Sequence, residues 1–339
     1  MSLERKVLIA TKKPFYYEAR DEFTDLLMQK GIEVVVLQGY ESRQQFVETM
    51  RAVNPHYLFV RSDKVDREII DAAPNLKLIV RGGSGFETID KDYADSREIQ
   101  IDTTPGTNST SVAELAFEMM GRFLRGLDEP SAKFYGEEFE GRRFAIHGLG
   151  RIGTKMGRIG NGYGMVMSAF DTNPSHEALE AAIKYGVTRV ESEEQLYDGA
   201  DIVSLHIPLN GDNLGRVNAG LISRMRHDGI LINTARPKIV NNTDLVRVMQ
   251  THGWDKFRYG VDAEQEGPEE LKKYLETDGL SIFGTRVYAT PKIGAQTKEA
   301  SFNTMRAAAQ KIIDFHRKDV QIYVLPVAVV YREGNRPSV

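Results

Sequence analysis

The sequence contains no cysteine among its 339 residues. This absence excludes disulfide bonds, thiolate nucleophiles and cysteine-ligated metal sites, and we predict no metal site of another kind. An excess of one charge is also lacking, since 44 lysines and arginines face 48 aspartates and glutamates. The net charge of −4 gives no reason to expect nucleic acid or a membrane surface as a partner.

Long apolar runs are absent too. None is long enough to cross a membrane, and the first fifteen residues, MSLERKVLIATKKPF, carry too short an apolar run for a signal peptide. We therefore expect a cytoplasmic protein. Its length suggests two domains, each able to bury a core without covalent staples.

Short apolar, β-branched runs alternate with amphipathic segments such as 16–30 and 40–53. This alternation is typical of right-handed βαβ units on a parallel sheet. The predicted strands form two series: 6–11, 33–38, 56–62, 76–83 and 99–104, then RRFAIHGLG, MVMSAFD, ADIVSLHIP, GILINTAR, FRYGVDA and VYATPKIG.

A turn-rich stretch, TPGTNSTS, separates the two series at 104–111, and the helical pattern of 298–318 follows the second series. In this stretch Ser111, with Glu114 three residues later, matches a helix capping box. We expect an α/β fold of two doubly wound parallel-sheet domains, in which residues 111–295 are inserted into a domain made of 1–110 and 296–339. A small-molecule site is expected in the cleft between two such domains.

The second series opens on a glycine pattern typical of nucleotide binding. Gly148, Gly150 and Gly153 form GxGxxG directly after a predicted strand, and Asp171 ends the next strand, 23 residues after Gly148. The glycines permit a tight turn, the approach of a pyrophosphate and close helix packing, while the acidic residue binds ribose hydroxyls. Because a carboxylate repels a 2′-phosphate, the pattern favours NAD over NADP. The alternative is a glycine-rich turn without nucleotide and an unrelated acidic residue.

Three further strand ends, NTARPK, GVDAEQEGPEE and TPKIGAQT, carry charged groups at the sheet edge where ligands bind in open α/β folds. Together with RGGSGFETID, TPGTNSTSVAE, GLGRIG and ADIVSLHIPL, they resemble the D-isomer-specific 2-hydroxyacid dehydrogenases over residues 56–318. The resemblance implies a flavodoxin-like substrate domain with an inserted Rossmann NAD domain, a small anionic substrate and a homodimer.

The resemblance also assigns roles to residues. Arg236 of INTAR would clamp the substrate carboxylate, because a planar guanidinium fits a carboxylate with two hydrogen bonds. Backbone amides of Ser84 and Gly85 would receive the same carboxylate, and Asn108 would line the site with Ser111. The alternatives are an arginine that pairs with a local acid, a simple turn, and a loop with a helix cap. The implied cofactor contacts are Gly148, Gly150, Arg151, Ile152, Gly153, Asp171, Pro208, Thr234, Ala235, Asp262 and Ser111.

Two positions depart from the family pattern. Lys292 stands where the family usually has its acid/base histidine, and Gly267 stands where a glutamate precedes proline. We take Glu266 as the catalytic glutamate, with Glu264 as second choice. Lys292 has three interpretations: it replaces the histidine as acid/base, as in some phosphoglycerate dehydrogenases of the family; it only adds positive charge; or it is a solvated residue of an inactive site.

The substrate is expected to be a small 2-hydroxy or 2-oxo acid. Arg61 and Lys64 resemble the basic pair that reaches the phosphate in phosphoglycerate members of the family, although Asp63 stands between them and a capped helix start explains the same residues. We therefore predict 3-phosphoglycerate, with glyoxylate or hydroxypyruvate as the alternative. A protein of another class, a non-catalytic NAD(H) sensor, is the second hypothesis.

Overall fold

The computed structural model describes residues 5–13, 15–127, 135–263 and 286–322. The chain divides into two compact units. Unit 1 comprises the described residues up to Pro105 and from Phe302, and unit 2 comprises Gly106–Ser301. The polypeptide therefore leaves unit 1, completes unit 2 and returns to unit 1.

Unit 1 contains a five-stranded parallel sheet in the order β2-β1-β3-β4-β5. This is the flavodoxin-like order, in which the strand order reverses beside β1. Its elements are β1 (Arg5–Thr11), α1 (Tyr17–Met28), β2 (Ile32–Gln38), α2 (Arg43–Val53), β3 (Tyr57–Val60), α3 (Arg67–Asp71), β4 (Leu78–Arg81), α4 (Lys91–Ser96) and β5 (Gln100–Thr103).

The central strands of unit 1, β1, β3 and β4, bury both faces, as parallel strands under helices on both sides must. In β1, Val7 and Ile9 face one core while Leu8 and Ala10 face the other, which is the two-residue period of a strand. The first core includes buried residues of the last helix, α11 (Lys298–Ile322), at helical spacing: Met305, Ala308, Ala309, Ile312 and Ile313.

Unit 2 contains a seven-stranded parallel sheet in the order β12-β11-β10-β9-β6-β7-β8. This is the Rossmann order with one further strand at its edge. The elements are α5 (Ser109–Arg125), β6 (Arg143–His147), α6 (Arg151–Gly162), β7 (Val166–Phe170), α7 (His176–Lys184), β8 (Val187–Arg189), α8 (Glu193–Tyr197), β9 (Ile202–Leu205), α9 (Ala219–Ile222), β10 (Ile230–Asn233), a 3-10 turn (Pro237–Ile239), α10 (Asn242–Gln250), β11 (Arg258–Asp262) and β12 (Val287–Thr290).

Helices cover both faces of this second sheet as well. Buried residues of α5, α6 and α7 pack on one face, and those of α8, α9 and α10 pack on the other. The predicted α/β class with two doubly wound parallel sheets is confirmed. The helices of the described residues include none long and apolar enough to span a bilayer.

One local prediction is wrong. Helix α5 begins at Ser109 with Asn108 as its N-cap, so Ser111 lies inside the first turn and is buried. Its hydroxyl lies 2.5 Å from the carbonyl oxygen of Gly294, a residue distant in sequence. This tertiary hydrogen bond takes the hydroxyl that a capping box would have used.

Candidate functional site

The three glycines of the nucleotide pattern meet different surroundings. Gly148 follows β6 with a φ of 100°, and a Cβ there would lie 2.7 Å from the backbone carbonyl of His206. A Cβ on Gly153 would overlap with the carbonyl oxygen of Gly148. Both positions therefore require glycine for the turn and for the packing of α6 on β6.

Gly150 differs, because a Cβ at this position would meet no atom within 4 Å. It is the N-cap of α6 and, as a glycine, brings no side chain to cap the first amides of that helix. The open space and the uncapped amides together fit a phosphate group at the helix N-terminus. Arg151 and Ile152 form the first turn beside this space, with Arg151 exposed and Ile152 half-buried.

Asp171 lies directly after β7 and connects this loop to the next strand. One carboxylate oxygen accepts the amide of Leu149 at 2.7 Å, and the other accepts the amide of Asn173 at 2.9 Å. Each oxygen keeps a second lone pair, so the carboxylate can also accept the two hydroxyls of a ribose. These residues fit the adenosine and pyrophosphate portions of NAD.

A buried asparagine shapes the segment after β10. The side chain of Asn233 accepts the amide of Ala235 at 3.1 Å and donates to the carbonyl oxygen of Arg236 at 2.9 Å. The guanidinium of Arg236 is half-buried and also contacts the carbonyl oxygen of Ala235 at 3.1 Å. Thr234 buries a hydroxyl that has no hydrogen-bond partner among the described residues. The segment thus offers a fixed cation and a free polar group at the sheet edge.

Lys292 stands on an unusual backbone. Its φ is 57°, in the left-handed region that non-glycine residues seldom adopt, and its amide contacts the carbonyl oxygen of Thr290 at 2.8 Å. Such conformations persist where the surroundings hold them, and they cluster at functional sites. The Lys292 side chain is exposed in unit 2.

The buried carboxylate of Asp262 holds the backbone around Lys292. One oxygen accepts the Thr290 hydroxyl and the amide of Ile293, both at 2.7 Å, and the other accepts the amide of Gly294 at 2.8 Å. Ser111 then binds the Gly294 carbonyl oxygen, which attaches α5 to the same loop. The contacts of Thr290 and Gly294 could not be predicted from the sequence, because their partners are distant along the chain.

Strand order brings these residues to one edge. The carboxyl ends of β12, β11, β10, β9 and β6 are neighbours, and they carry Lys292, Asp262, Arg236, Pro208 and Gly148 in that order. Pro208 is exposed and accepts a hydrogen bond from the Asn213 side chain at 2.9 Å. Asn108 lies at the start of α5, close to the loop of Gly294 through Ser111. The predicted Glu266 and its alternative Glu264 lie outside the described residues.

Arg61 and Lys64 follow β3 in unit 1, at the carboxyl edge of the five-stranded sheet. The Arg61 guanidinium packs 4.5 Å from the ring centroid of Phe15, and burial lowers its pKa although Asp63 opposes the shift. Within the part of the chain that the structure describes, it forms no ion pair. Lys64 is exposed, and the buried Asp63 is engaged elsewhere.

Asp63 stands between Arg61 and Lys64 in the sequence, but its carboxylate is occupied by other groups. Its carboxylate accepts the Lys12 amide at 2.7 Å, the Tyr40 hydroxyl at 2.6 Å and the amide of Arg61 itself at 3.1 Å. Asp63 therefore organises the loop backbone, and the Arg61 head group does not form a salt bridge with it.

Ser84 and Gly85 follow β4, the strand next to β3. Ser84 is exposed, and a Cβ on Gly85 would overlap with the carboxylate of Glu87. These two residues share the sheet edge of Arg61 and Lys64, as the strand order requires. Among the described residues, no group of three or more His, Asp or Glu side chains could hold a metal ion.

Comparison with known proteins identifies a matching family model and several similar proteins. Residues 117–294 match the family model for the NAD-binding domain of D-isomer specific 2-hydroxyacid dehydrogenases. Over 322 residues the chain is 30% identical to a D-3-phosphoglycerate dehydrogenase of Archaeoglobus fulgidus, covering 91% of this chain but 57% of that protein. A hydroxypyruvate reductase of Thermotoga maritima is 30% identical over 82% of this chain and 90% of its own length.

Among solved structures, the NAD⁺-bound 3-phosphoglycerate dehydrogenase of Entamoeba histolytica is similar, with a TM-score of 0.79 and 30% identity. The match covers 93% of this chain and 96% of that one. The chain thus spans about half the length of the curated D-3-phosphoglycerate dehydrogenases that it matches, and most of the length of the hydroxypyruvate reductase and of the solved structure.

Proposed function

The chain belongs to the family of D-isomer-specific 2-hydroxyacid dehydrogenases, and from this we propose that it moves a hydride between C2 of a small D-2-hydroxy acid and NAD. The sequence-based prediction of the family and of NAD as cofactor is confirmed. The homodimer and the cytoplasmic location stay predictions.

The observation that carries the proposal is the backbone of Lys292. A costly left-handed conformation, held by the buried Asp262, places a lysine at the same sheet edge as Arg236 and the nucleotide loop. The hydrogen bonds that Asp262 accepts from Thr290, Ile293 and Gly294 hold the lysine at this edge.

The residues divide the chemistry between them. Bound NADH supplies the hydride for reduction of a 2-oxo acid. Arg236 would hold the substrate carboxylate and polarise the carbonyl, and the Lys292 ammonium would give its proton to the carbonyl oxygen as C2 is reduced. In the opposite direction neutral Lys292 would take the hydroxyl proton, so oxidation requires the deprotonated amine. The backbone amides of Ser84 and Gly85 stay substrate contacts predicted from the family resemblance.

We propose 3-phosphoglycerate as the substrate because of Arg61. Its half-buried guanidinium forms no ion pair with any described residue and stacks on Phe15, which fixes its direction, so it can anchor an anion. Lys64 adds a second cation three residues later. Glyoxylate and hydroxypyruvate, which carry no phosphate, remain the alternative, supported by the reductase among the relatives.

The test is NADH oxidation with phosphohydroxypyruvate, hydroxypyruvate, glyoxylate and pyruvate. Arg61→Gln should raise KM for phosphohydroxypyruvate about tenfold or more, as expected for loss of a charged hydrogen bond, and leave glyoxylate reduction unchanged. Arg61→Lys keeps the charge and serves as the matched control. An equal effect on both substrates would remove the phosphate role. If none of the four acids reacts while NADH binds, the non-catalytic NAD(H) sensor becomes the better hypothesis.

A further inference from the structure

A series of hydrogen-bonded polar side chains begins at His147, the buried residue directly before the first glycine of the nucleotide loop. Its Nδ1 lies 3.0 Å from the Tyr197 hydroxyl, and its Nε2 lies 3.0 Å from Glu193 Oε1. The His147 side chain is 2% exposed. A polar residue at the buried end of a central strand is costly unless its hydrogen bonds are complete, and here both ring nitrogens have partners.

Hydrogen-bond accounting fixes the direction of these contacts. Nε2 faces a carboxylate and must donate to it. The Tyr197 hydroxyl is fully buried, and His147 Nδ1 is its partner within the described residues, so the hydroxyl donates and Nδ1 accepts. His147 is thereby held in one tautomer and one ring orientation, and its ring is an anchor for the backbone of Gly148.

Glu193 joins this anchor to a second segment. Both of its oxygens lie close to Arg216 Nε, at 3.0 and 2.8 Å. Burial acts to raise the pKa of Glu193, but the hydrogen bonds from His147 and Arg216 and the charge of Arg216 hold this pKa below its ordinary value. Glu193 is therefore a buried anion shared between a histidine on one side and an arginine on the other.

Arg216 lies in a segment that pairs with the chain just after Arg236. The amide of Gly215 donates to Lys238 O at 2.8 Å, and the amide of Val217 donates to Ile239 O at 3.0 Å. The amide of Ile239 in turn donates to Arg236 O at 3.1 Å. A continuous set of hydrogen bonds thus runs from the nucleotide loop to the backbone of Arg236.

We infer that Glu193 is a positioning residue that sets the nucleotide loop, through His147, and the Arg236 segment, through Arg216, in one arrangement. A substitution that breaks the hydrogen bonds of Glu193 should weaken NADH binding and lower kcat/KM for the substrate together. The first effect concerns the cofactor, and the second rests on the proposed function of Arg236.

The experiment compares Arg216→Gln and Glu193→Gln with Arg226→Gln. The control is similar, because Arg226 is about as exposed as Arg216 and its Nε lies 3.1 Å from the largely buried Asp201 and from Asp228. These two aspartates precede β9 and β10, at the amino ends of the strands and away from the nucleotide loop. NADH affinity is measured by fluorescence titration, and kcat and KM are measured with the reactive 2-oxo acid. We expect Glu193→Gln to raise the NADH Kd about threefold to thirtyfold and to lower kcat/KM for the acid, with smaller effects in Arg216→Gln.

The NADH affinity of the double variant distinguishes a shared contact from a general loss of stability. If both residues act through one contact, Glu193→Gln with Arg216→Gln should bind NADH no worse than Glu193→Gln alone. Arg216→Lys should restore part of the loss. Unchanged NADH affinity in both single variants, or equal losses in Arg226→Gln, would overturn the inference.

Because Arg216 is half-exposed, its variants should fold even if Glu193→Gln does not. If the wild-type protein turns over no 2-oxo acid, the proposed function fails, whereas the NADH affinities of the variants still decide the positioning role.

Discussion

The hydroxyl of Thr290 donates a buried hydrogen bond of 2.7 Å to the carboxylate of Asp262. The two residues end neighbouring strands, β12 and β11, in direct register. The same carboxylate accepts the amides of Ile293 and Gly294, so the bond closes a small ring of contacts around Lys292. The lysine therefore has an exposed side chain, while the buried Asp262 carboxylate holds its backbone in place.

We predict that Thr290→Val weakens both the stability and the activity of the protein. Valine has the shape of threonine but leaves the buried carboxylate without one charged hydrogen bond, which costs roughly 1.5–3 kcal/mol. The thermal midpoint should fall, and kcat should fall more than NADH affinity because Lys292 loses its support. Thr290→Ser keeps the hydroxyl and is the control. If Thr290→Val and Thr290→Ser have equal kcat, the hydroxyl does not position Lys292.

The second prediction concerns the glycine pattern, because Gly150 has open space beside its Cα whereas Gly153 has none. Gly150→Ala should fold with an unchanged thermal midpoint, since no atom lies within 4 Å of the new Cβ, but it should bind NADH more weakly because the methyl group fills the phosphate space. Gly153→Ala should lower the thermal midpoint, since its Cβ would overlap with Gly148 O. Calorimetry and NADH titration of both variants check this, and a destabilised Gly150→Ala would contradict it.

Acid should destabilise unit 1 through His56. Its Nδ1 accepts the Lys6 amide at 3.3 Å, and burial, with the charges of Arg5 and Lys77, lowers its pKa to about 4. An unfolded histidine titrates near 6.5, so between about pH 6.5 and 4 the unfolded chain binds the extra proton. Stability is full above this window and is lost as the pH falls through it.

The measurement is the urea midpoint of unfolding at pH 7 and pH 5. We expect His56→Asn to show a smaller drop than the wild type, since an amide oxygen can accept the Lys6 amide without titrating. His176→Asn is the control, because the His176 side chain is 82% exposed. Equal drops in His56→Asn and the wild type would exclude this role.

The sequence could predict the parts of the site that depend on local spacing. The loop of Gly148, Gly150 and Gly153 and the position of Asp171 follow from strand, turn and helix signals within a few tens of residues. Parallel strand order then brings Arg236, Asp262 and Lys292 to one edge without further information. The alternation of strands and helices predicted both sheets for the same reason.

The rest could not be predicted because it depends on contacts between distant residues. Ser111 matched a capping box, but its hydroxyl binds Gly294, 183 positions away. Strand β8 has three residues and, among the described strands, pairs with β7 alone, so its run is too short to show a period. His147 gave no sign of its partners Tyr197 and Glu193, because a single histidine in a strand pattern carries no information about which side chains surround it.

Lys292 provides the sharpest test, because its three interpretations predict different activities for the same substitutions. Lys292→Ala should lower kcat about 10²- to 10⁴-fold, the usual range for general acid–base catalysis, while NADH affinity stays unchanged. Lys292→Arg keeps the positive charge but cannot release a proton, so it should be as inactive as the alanine variant.

Oxidation of the hydroxy acid by the wild type should rise with pH, since the amine of Lys292 must be neutral. Lys292→His should move this rise toward lower pH, because histidine titrates near 6.5. The measurement is kcat against pH in both directions for the four proteins. Activity retained in Lys292→Arg would show that the charge alone matters, and unchanged activity in Lys292→Ala would remove Lys292 from the chemistry.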